Sequence, residues 1–309
     1  MSTLYILGNG FDLGLGLNTS YVDYLKSAEF NSLMRPNSSV RGLANWLKDE
    51  QTKDAWFDME KSIGNYYNRN GFRINDLEST KIFPEFLRSV NDFILRTAME
   101  STISFEDNRT YALIEHFSDQ LKNGNSFTIY TYNYTGKIVL DTLINKHLLD
   151  NPKIGVIELQ YKIKIEHLHG SVTNNFKFDV PNITLGTNSS YIKNAKADFI
   201  KKVNQNPEVG MFNDSVFDRF DRFVIYGHSL GEMDAPDFEM LFEHLFKYNS
   251  KKLDIFTKLD NYERNNINSR FAALSKKSED EIKNQVKKYV NRNIEDVLLE
   301  ISSSNTNML

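Results

Sequence analysis

Apolar residues along this chain fall into two spacings. Leu4 to Leu7 form an unbroken apolar run that ends at Gly8, Asn9 and Gly10. A short run without alternation is what a strand covered on both faces looks like, as in a parallel sheet, so the pattern predicts a first strand turning sharply into a helix. Thr19 or Ser20 then stands where a helix cap is expected, ahead of Tyr21, Tyr24 and Leu25. From about 38 to 123 strand-like runs become scarce. Ile82, Phe83, Phe86, Leu87, Val90, Phe93 and Ile94 recur at helical spacing, as do Leu113, Ile114, Phe117 and Leu121. This interval reads as a helical insertion, which either walls a pocket or enlarges the core.

Strand signals return at Phe127 to Tyr132, ending at Asn133, and at Val156 to Ile165, ahead of His167 and His169. Phe223 to Tyr226 ends at Gly227, and Leu253 to Phe256 adds one more. Helical segments are expected between them at 136–147, 191–203 and 235–247. Ile282, Val286, Tyr289, Val290 and Ile294 then follow at roughly helical spacing. The alternation predicts an α/β fold, a Rossmann-like, mostly parallel sheet with a helical insertion and C-terminal helices. The expected division is a Rossmann-like sheet core of 1–37 and 124–262, the insertion at 38–123, and a helical extension with a polar tail at 263–309.

Composition narrows the function classes. At 309 residues and 40% apolar, the chain can bury a substantial core without staples. It has no cysteine, which removes disulfides, thiol nucleophiles and thiolate metal centres. Cytoplasmic location is expected, with no membrane span and no leader at the N-terminus. With 37 basic and 41 acidic residues, no charge excess invites nucleic acid over the whole surface. From Lys247 to Lys288 eleven Lys or Arg face six Asp or Glu, read first as a solvated face or subunit contact.

Several constellations could carry chemistry. Gly8, Asn9, Gly10 and Phe11 lie between a strand and a helix, where backbone amides can approach a phosphate, or where the glycines only make a tight turn. Asp12 would repel phosphate, so it is expected to cap backbone or accept a ribose hydroxyl. Thr131 to Thr135 stand at a strand end, where Asn133 can donate and accept together toward a ribose or a water, or satisfy its own backbone. His167 and His169 alternate, so on a strand they share a face. His169, next to Gly170, is the more accessible candidate base, with a structural histidine as the alternative. No third ligand accompanies them, so no metal site is predicted.

Gly227, His228, Ser229, Leu230 and Gly231 spell a nucleophile-elbow pattern after a strand. His244, in the next expected helix, is poorly placed to complete a triad. The same geometry suits a ribose or phosphate contact from Ser229, with Asp234 opening the following helix. Trp56, Met59 and Ile63 fit a buried helical stripe, leaving Glu60 either exposed or aimed into a cleft.

Taken in order, Ile6 to Asp12 with Leu17, Thr19 and Tyr21, then Trp56 to Glu60, Tyr132 to Thr135, His167 to Ser171, and Ile225 to Asp234 resemble the AbiH family of bacterial phage abortive-infection proteins. The resemblance covers about 4 to 245. That family is in turn distantly similar to SIR2-like proteins, which bind NAD and in bacterial defence often hydrolyse it. The similarity runs through Gly8 and Gly10, Asn133, His169 with Gly170, and Gly227 with Ser229. Thr135 stands where SIR2-like proteins commonly carry Asp, and Asn9 with Asp12 replaces smaller residues of the first turn.

The resemblance implies an anti-phage effector that hydrolyses the nicotinamide–ribose bond of NAD or a related nucleotide. NAD is then a substrate or ligand, and no further cofactor is required. His169 would assist proton removal, Asn133 would hold ribose or water, and Asp12 or Glu60 would stabilise the transition state. Gly8, Asn9, Gly10 and Phe11, with Thr135, Gly227, Ser229 and Asp234, would line the nucleotide. A phage-derived trigger and a homo-oligomer are implied as well. The competing classes are a non-hydrolytic nucleotide sensor or assembly protein, a nuclease, and a serine hydrolase using Ser229.

Overall fold

The opening apolar run becomes β1 (Thr3–Leu7), in which every residue is buried. Its burial follows from its position, because β2 (Phe127–Thr131) pairs along one edge and β4 (Arg222–Tyr226) along the other. The computed structural model describes residues 2–52, 58–70, 79–103, 108–135, 162–169, 214–231, 234–248, 250–256, 270–277 and 286–289, and elements are numbered over these. With β3 (Ile163–His167), β5 (Lys252–Phe256) and β6 (Val286–Tyr289), six strands form one sheet in the order β3-β2-β1-β4-β5-β6. Every strand pair in it is parallel. The expected α/β, Rossmann-like fold is therefore present. The chain builds outward from β1 in one direction and from β4 in the other, which makes the β1–β4 boundary the topological switch point.

Alternation along the central strands divides their side chains between two faces. On one face Leu4, Ile6, Phe223, Ile225, Leu253 and Ile255 pack against Phe238, Leu241, Phe242 and Leu245. The last four lie on α9 (Ala235–Lys247), which occupies the segment expected to be helical. Phe271, in the short helix α10 (270–275), meets Phe242 edge to face with ring centroids 4.6 Å apart. On the other face Tyr5 and Phe127 meet Phe117 of α7 (Asn108–Lys122) at 4.9 and 5.0 Å between the rings concerned, Tyr5–Phe117 and Phe117–Phe127. Each fully buried large side chain contributes roughly 1.5–3 kcal/mol over leaving it in water, so these two layers carry most of the sheet's stability.

The C-terminal stretch corrects the sequence reading. The spacing through Val286 and Tyr289 predicts a helix, yet residues 286–289 form β6, registered Leu253↔Val286 through Phe256↔Tyr289. An open β5 edge offers a full row of backbone partners, and a four-residue segment with β-branched and aromatic ends satisfies it better than one further helical turn.

By contacts the chain divides into two units, residues 1–17, 102–168 and 208–309, and residues 18–101 and 169–207. The first contains the sheet, the short helices α1 (Asn9–Gly14) and α8 (Asp214–Phe217), and α7, α9 and α10. The described part of the second is helical: α2 (Tyr21–Lys26), α3 (Ala28–Leu33), α4 (Arg41–Gln51), α5 (Met59–Asn70) and α6 (Ser79–Glu100). Ser20 caps α2 in a reciprocal capping box with Asp23, and Ser27 caps α3 by accepting from Phe30 N–H. Tyr24 centres that unit's core among Phe30, Phe86 and Phe93, and its hydroxyl donates to Ser89 Oγ at 2.9 Å. The Arg96 guanidinium meets both carboxylate oxygens of Glu29 at 2.6 and 3.0 Å.

The helices expected at 136–147 and 191–203, the first part of the strand expected at 156–165, and Trp56, Gly170, Ser171, Ile282, Val290 and Ile294 lie outside the described residues. Among the described residues no helix is long and apolar enough to cross a membrane.

Candidate functional site

β1 and β4 end side by side, and each ends in a glycine turn. Gly8 N–H donates to the Tyr226 carbonyl at 2.9 Å, Gly10 N–H to the Gly227 carbonyl at 2.8 Å, and Phe11 N–H to the Gly8 carbonyl at 2.9 Å. A Cβ on Gly8 would lie 2.5 Å from His228 Cα, and one on Gly10 would lie 2.6 Å from Gly227 Cα. Gly227 itself has φ +65°, in the left-handed region. The glycines at these positions are thus required by two backbones in contact. Of the two readings of this turn, the tight structural one describes Gly8, Gly10 and Phe11, whose amides already donate to carbonyls. Asn9 is exposed on the turn.

Asp12 sits one turn into α1, and its carboxyl is buried rather than capping backbone; the helix starts at Gly8 with no side-chain cap. Asn133 Nδ2 donates to Asp12 Oδ1 at 2.8 Å, and Thr135 hydrogen-bonds to the same carboxyl. Asn133 is held in turn by its own N–H donating to Thr131 Oγ1 at 3.1 Å, just past the end of β2. Asp12, Asn133 and Thr135 are 2%, 5% and 4% exposed, so all three lie out of bulk water. Burial lifts the Asp12 carboxyl from an ordinary 3.8 to about 7, with the hydrogen bonds from Thr135 and Asn133 pulling the other way. Asn133 Oδ1 is buried and accepts no hydrogen bond among the described residues. A buried amide oxygen without a donor is costly.

The turn after β4 is organised by His228, which in the sequence pattern is only a spacer. Its Nδ1 accepts from Leu230 N–H at 2.9 Å, which places the proton of the neutral ring on Nε2, 3.4 Å from Asp234 Oδ2. The imidazole packs against the rings of both Tyr132 and Phe238, with centroids 4.4 and 4.6 Å away, and those two rings stack on each other at 5.7 Å. Tyr132, the neighbour of Asn133, donates its hydroxyl to Asp237 Oδ2 at 3.0 Å. His228 therefore ties the Thr131–Thr135 segment to the start of α9. Its one sequence signal is its place inside the glycine-serine pattern.

The nucleophile-elbow reading of that pattern is not supported by the geometry. The left-handed residues are Gly227 and Leu230, not Ser229, and α9 begins only at Ala235. His244 lies within α9, with Nε2 3.7 Å from Asp218 Oδ1. Ser229 is half-buried, and its carbonyl accepts from Arg270 Nη1 at 2.8 Å. No motif points to Arg270.

The remaining expected site residues belong to the second unit. Glu60, on α5, is buried at 4% exposure, beside the buried Met59 and Ile63 of the expected stripe. His169 is buried at 9% exposure and lies in a turn after β3 ends at His167, so the two histidines do not share a strand face as expected. The structure thus brings together Asp12, Asn133 and Thr135, and separately Gly8, Gly10, Gly227 and His228.

Among the described residues no group of three or more His, Asp or Glu is arranged to hold a metal ion. No curated protein matches this chain. Residues 4–256 match the family described as Bacteriophage abortive infection AbiH. The match runs from β1 through β5 and takes in both glycine turns and the Asp12–Asn133 pair, so the chain belongs to the AbiH family of bacteriophage abortive-infection proteins.

Proposed function

We propose that this abortive-infection protein acts on a nucleotide at the switch point of its sheet and hydrolyses the nicotinamide–ribose bond of NAD or a related nucleotide. The observation that carries the reading is the buried Asp12–Asn133 pair, a carboxyl with a pKa of about 7 beside an amide oxygen that lacks a donor. Parallel doubly wound sheets take ligands outside the carboxyl ends of their strands at this boundary, and that fold-level argument supports the placement by analogy. Asn133 Oδ1 would accept from a ribose hydroxyl or from the attacking water.

In the reaction the C1′–N bond breaks, and its electron pair neutralises the cationic nicotinamide ring. The water oxygen bonds to C1′, and its proton passes to the Asp12 carboxylate. Ionised Asp12 would also oppose the positive charge that develops on the ribose, an effect strengthened by a dry surrounding. With a pKa of about 7 the group is about half ionised at neutral pH, the range in which a general base works best.

Burial of all three side chains favours a second reading, a nucleotide sensor that binds without turnover. Incubation with NAD, NADP, ATP, DNA and RNA, followed by mass spectrometry of products and of protein-bound ligand, separates the two. The proposed reaction yields nicotinamide and ADP-ribose at a rate that rises through about pH 7, and Asp12→Ala lowers it about 10²-fold or more. Intact bound nucleotide supports the sensor, and cleaved DNA or RNA overturns both.

A further inference from the structure

His228 has no part in the chemistry assigned to the site, yet it touches both arms that bring Asp12 and Asn133 together. Its backbone packs on the first arm. A Cβ on Gly8 would lie 2.5 Å from His228 Cα and 2.8 Å from its Cβ, and Gly8 opens the helix that carries Asp12. Its imidazole packs on the second arm, 4.4 Å from the ring of Tyr132, the residue before Asn133. The 2.8 Å hydrogen bond from Asn133 Nδ2 to Asp12 Oδ1 spans these two arms.

The imidazole is not placed to take a proton from a substrate. Nδ1 accepts from Leu230 N–H at 2.9 Å, and Nε2 faces Asp234 Oδ2 at 3.4 Å. Leu230 is buried with φ +52°, a left-handed conformation that leucine rarely adopts. Strain of this kind persists where the surroundings over-determine the backbone, and here the bond to Nδ1 fixes the turn and the imidazole plane together. Tyr132 is gripped from other sides as well: its N–H donates to the Leu7 carbonyl at 2.9 Å, its hydroxyl to Asp237 Oδ2 at 3.0 Å, and its ring stacks on Phe238. The imidazole adds the tie from Tyr132 to the glycine turns, and through Gly8 to α1.

We propose that His228 is a positioning residue, a brace that holds Asn133 at hydrogen-bonding distance from Asp12 by fixing Tyr132 against the Gly8 turn. It touches no reacting atom and acts through Asn133. Its effect on a rate rests on the nucleotide reading given above.

Asp12 itself reports on the brace. Burial raises its carboxyl to about 7, while hydrogen bonds from Thr135 and Asn133 lower it. Loss of the Asn133 bond in a site that stays dry therefore raises the titration midpoint. A site that is only loosened admits water, which lowers the midpoint toward that of an ordinary carboxyl. The sign of the change separates positioning from packing.

The test is carboxyl-carbon NMR of the aspartate-labelled full chain across pH, with Asp12→Asn identifying the signal, for the wild type, His228→Asn and Tyr132→Leu. His228→Asn keeps an acceptor for Leu230 N–H, as in an Asx turn, and removes the ring; Tyr132→Leu removes the ring it packs on. Each is expected to raise the Asp12 midpoint by about one pH unit or more, the size of a hydrogen bond to a charged group. The pH profile of nicotinamide release should move upward with it.

An unchanged or lowered Asp12 midpoint in either folded variant overturns the proposal, whatever loss of stability accompanies it. Should neither variant fold, the imidazole nitrogen shifts of the wild type decide. Nδ1 bare and Nε2 protonated where Asp12 titrates supports the brace, whereas a protonated Nδ1 cannot accept from Leu230 and overturns it. If the wild type releases no nicotinamide and retains no nucleotide, the nucleotide reading fails, while the Asp12 midpoints still decide the brace.

Discussion

Replacing Asp12 with Asn removes one ionisable proton from the centre of the site and changes almost nothing in shape. The oxygen of the introduced amide can still accept from Asn133 Nδ2, and its nitrogen can donate to the Thr135 hydroxyl. In the wild type the carboxyl moves from 3.8 in the unfolded chain to about 7 in the fold. Between those values the unfolded chain has released the proton and the folded chain retains it, so unfolding releases a proton and stability falls as pH rises. Below the window both states are protonated, above it both are ionised, and the contribution is flat. At roughly 1.4 kcal/mol per pH unit the shift amounts to about 4 kcal/mol across the window.

His116 works in the opposite direction. Burial lowers it from 6.5 to about 4, so between those values the unfolded chain binds a proton that the fold refuses, and stability rises with pH. The informative quantity is therefore the wild-type minus Asp12→Asn difference, in which His116 and every other group common to both cancel. Urea unfolding of both proteins at several values from about pH 4 to pH 8 is the assay. The variant should gain up to about 4 kcal/mol on the wild type from the acid end to the alkaline end. A difference constant to within about 0.5 kcal/mol would show that Asp12 titrates as an ordinary carboxylate, and would remove the basis for its role as a base near neutral pH.

Two further outcomes test the scaffold that presents the site. Gly10→Ala should destabilise the chain by roughly 2 kcal/mol or more, because the new Cβ would meet Gly227 backbone at 2.6 Å and backbone cannot yield as a side-chain tip does; a thermal melt unchanged from wild type would refute the contact. Arg222 and Asp254 form a buried ion pair between β4 and β5, so Arg222→Met alone should cost about 3–5 kcal/mol by stranding Asp254, whereas adding Asp254→Leu should restore much of it; additive losses in chemical denaturation would contradict that pairing.

The strands were legible because each buried parallel strand writes itself as a compact apolar run. Thr3–Leu7, Phe127–Thr131, Arg222–Tyr226 and Lys252–Phe256 all sit where the runs of the sequence placed them, and α6, α7 and α9 follow the helical spacing of their apolar residues. The candidate residues Asn133 and Thr135 were legible as polar groups past a strand end, and Asp12 as a carboxylate just after the first glycine turn, where ligand-binding side chains of α/β folds collect.

What sequence could not supply was their mutual distance. That Asn133 reaches Asp12 across 121 positions, and that Arg270 reaches Ser229 across 41, depends on strand order, which local patterning does not encode. The glycines show the same division. Their presence signalled a constraint on the backbone, and the pairing of β1 with β4 shows another backbone in contact with them. β6 likewise formed because β5 had an edge to fill, a condition created by the sheet and absent from the residues at 286–289. The chain's sequence determined which segments could be strands and which polar groups would stand at their ends. Tertiary structure decided which of those groups meet, because hydrogen bonds and charges act over a few ångströms between residues that the fold, not the sequence order, makes neighbours.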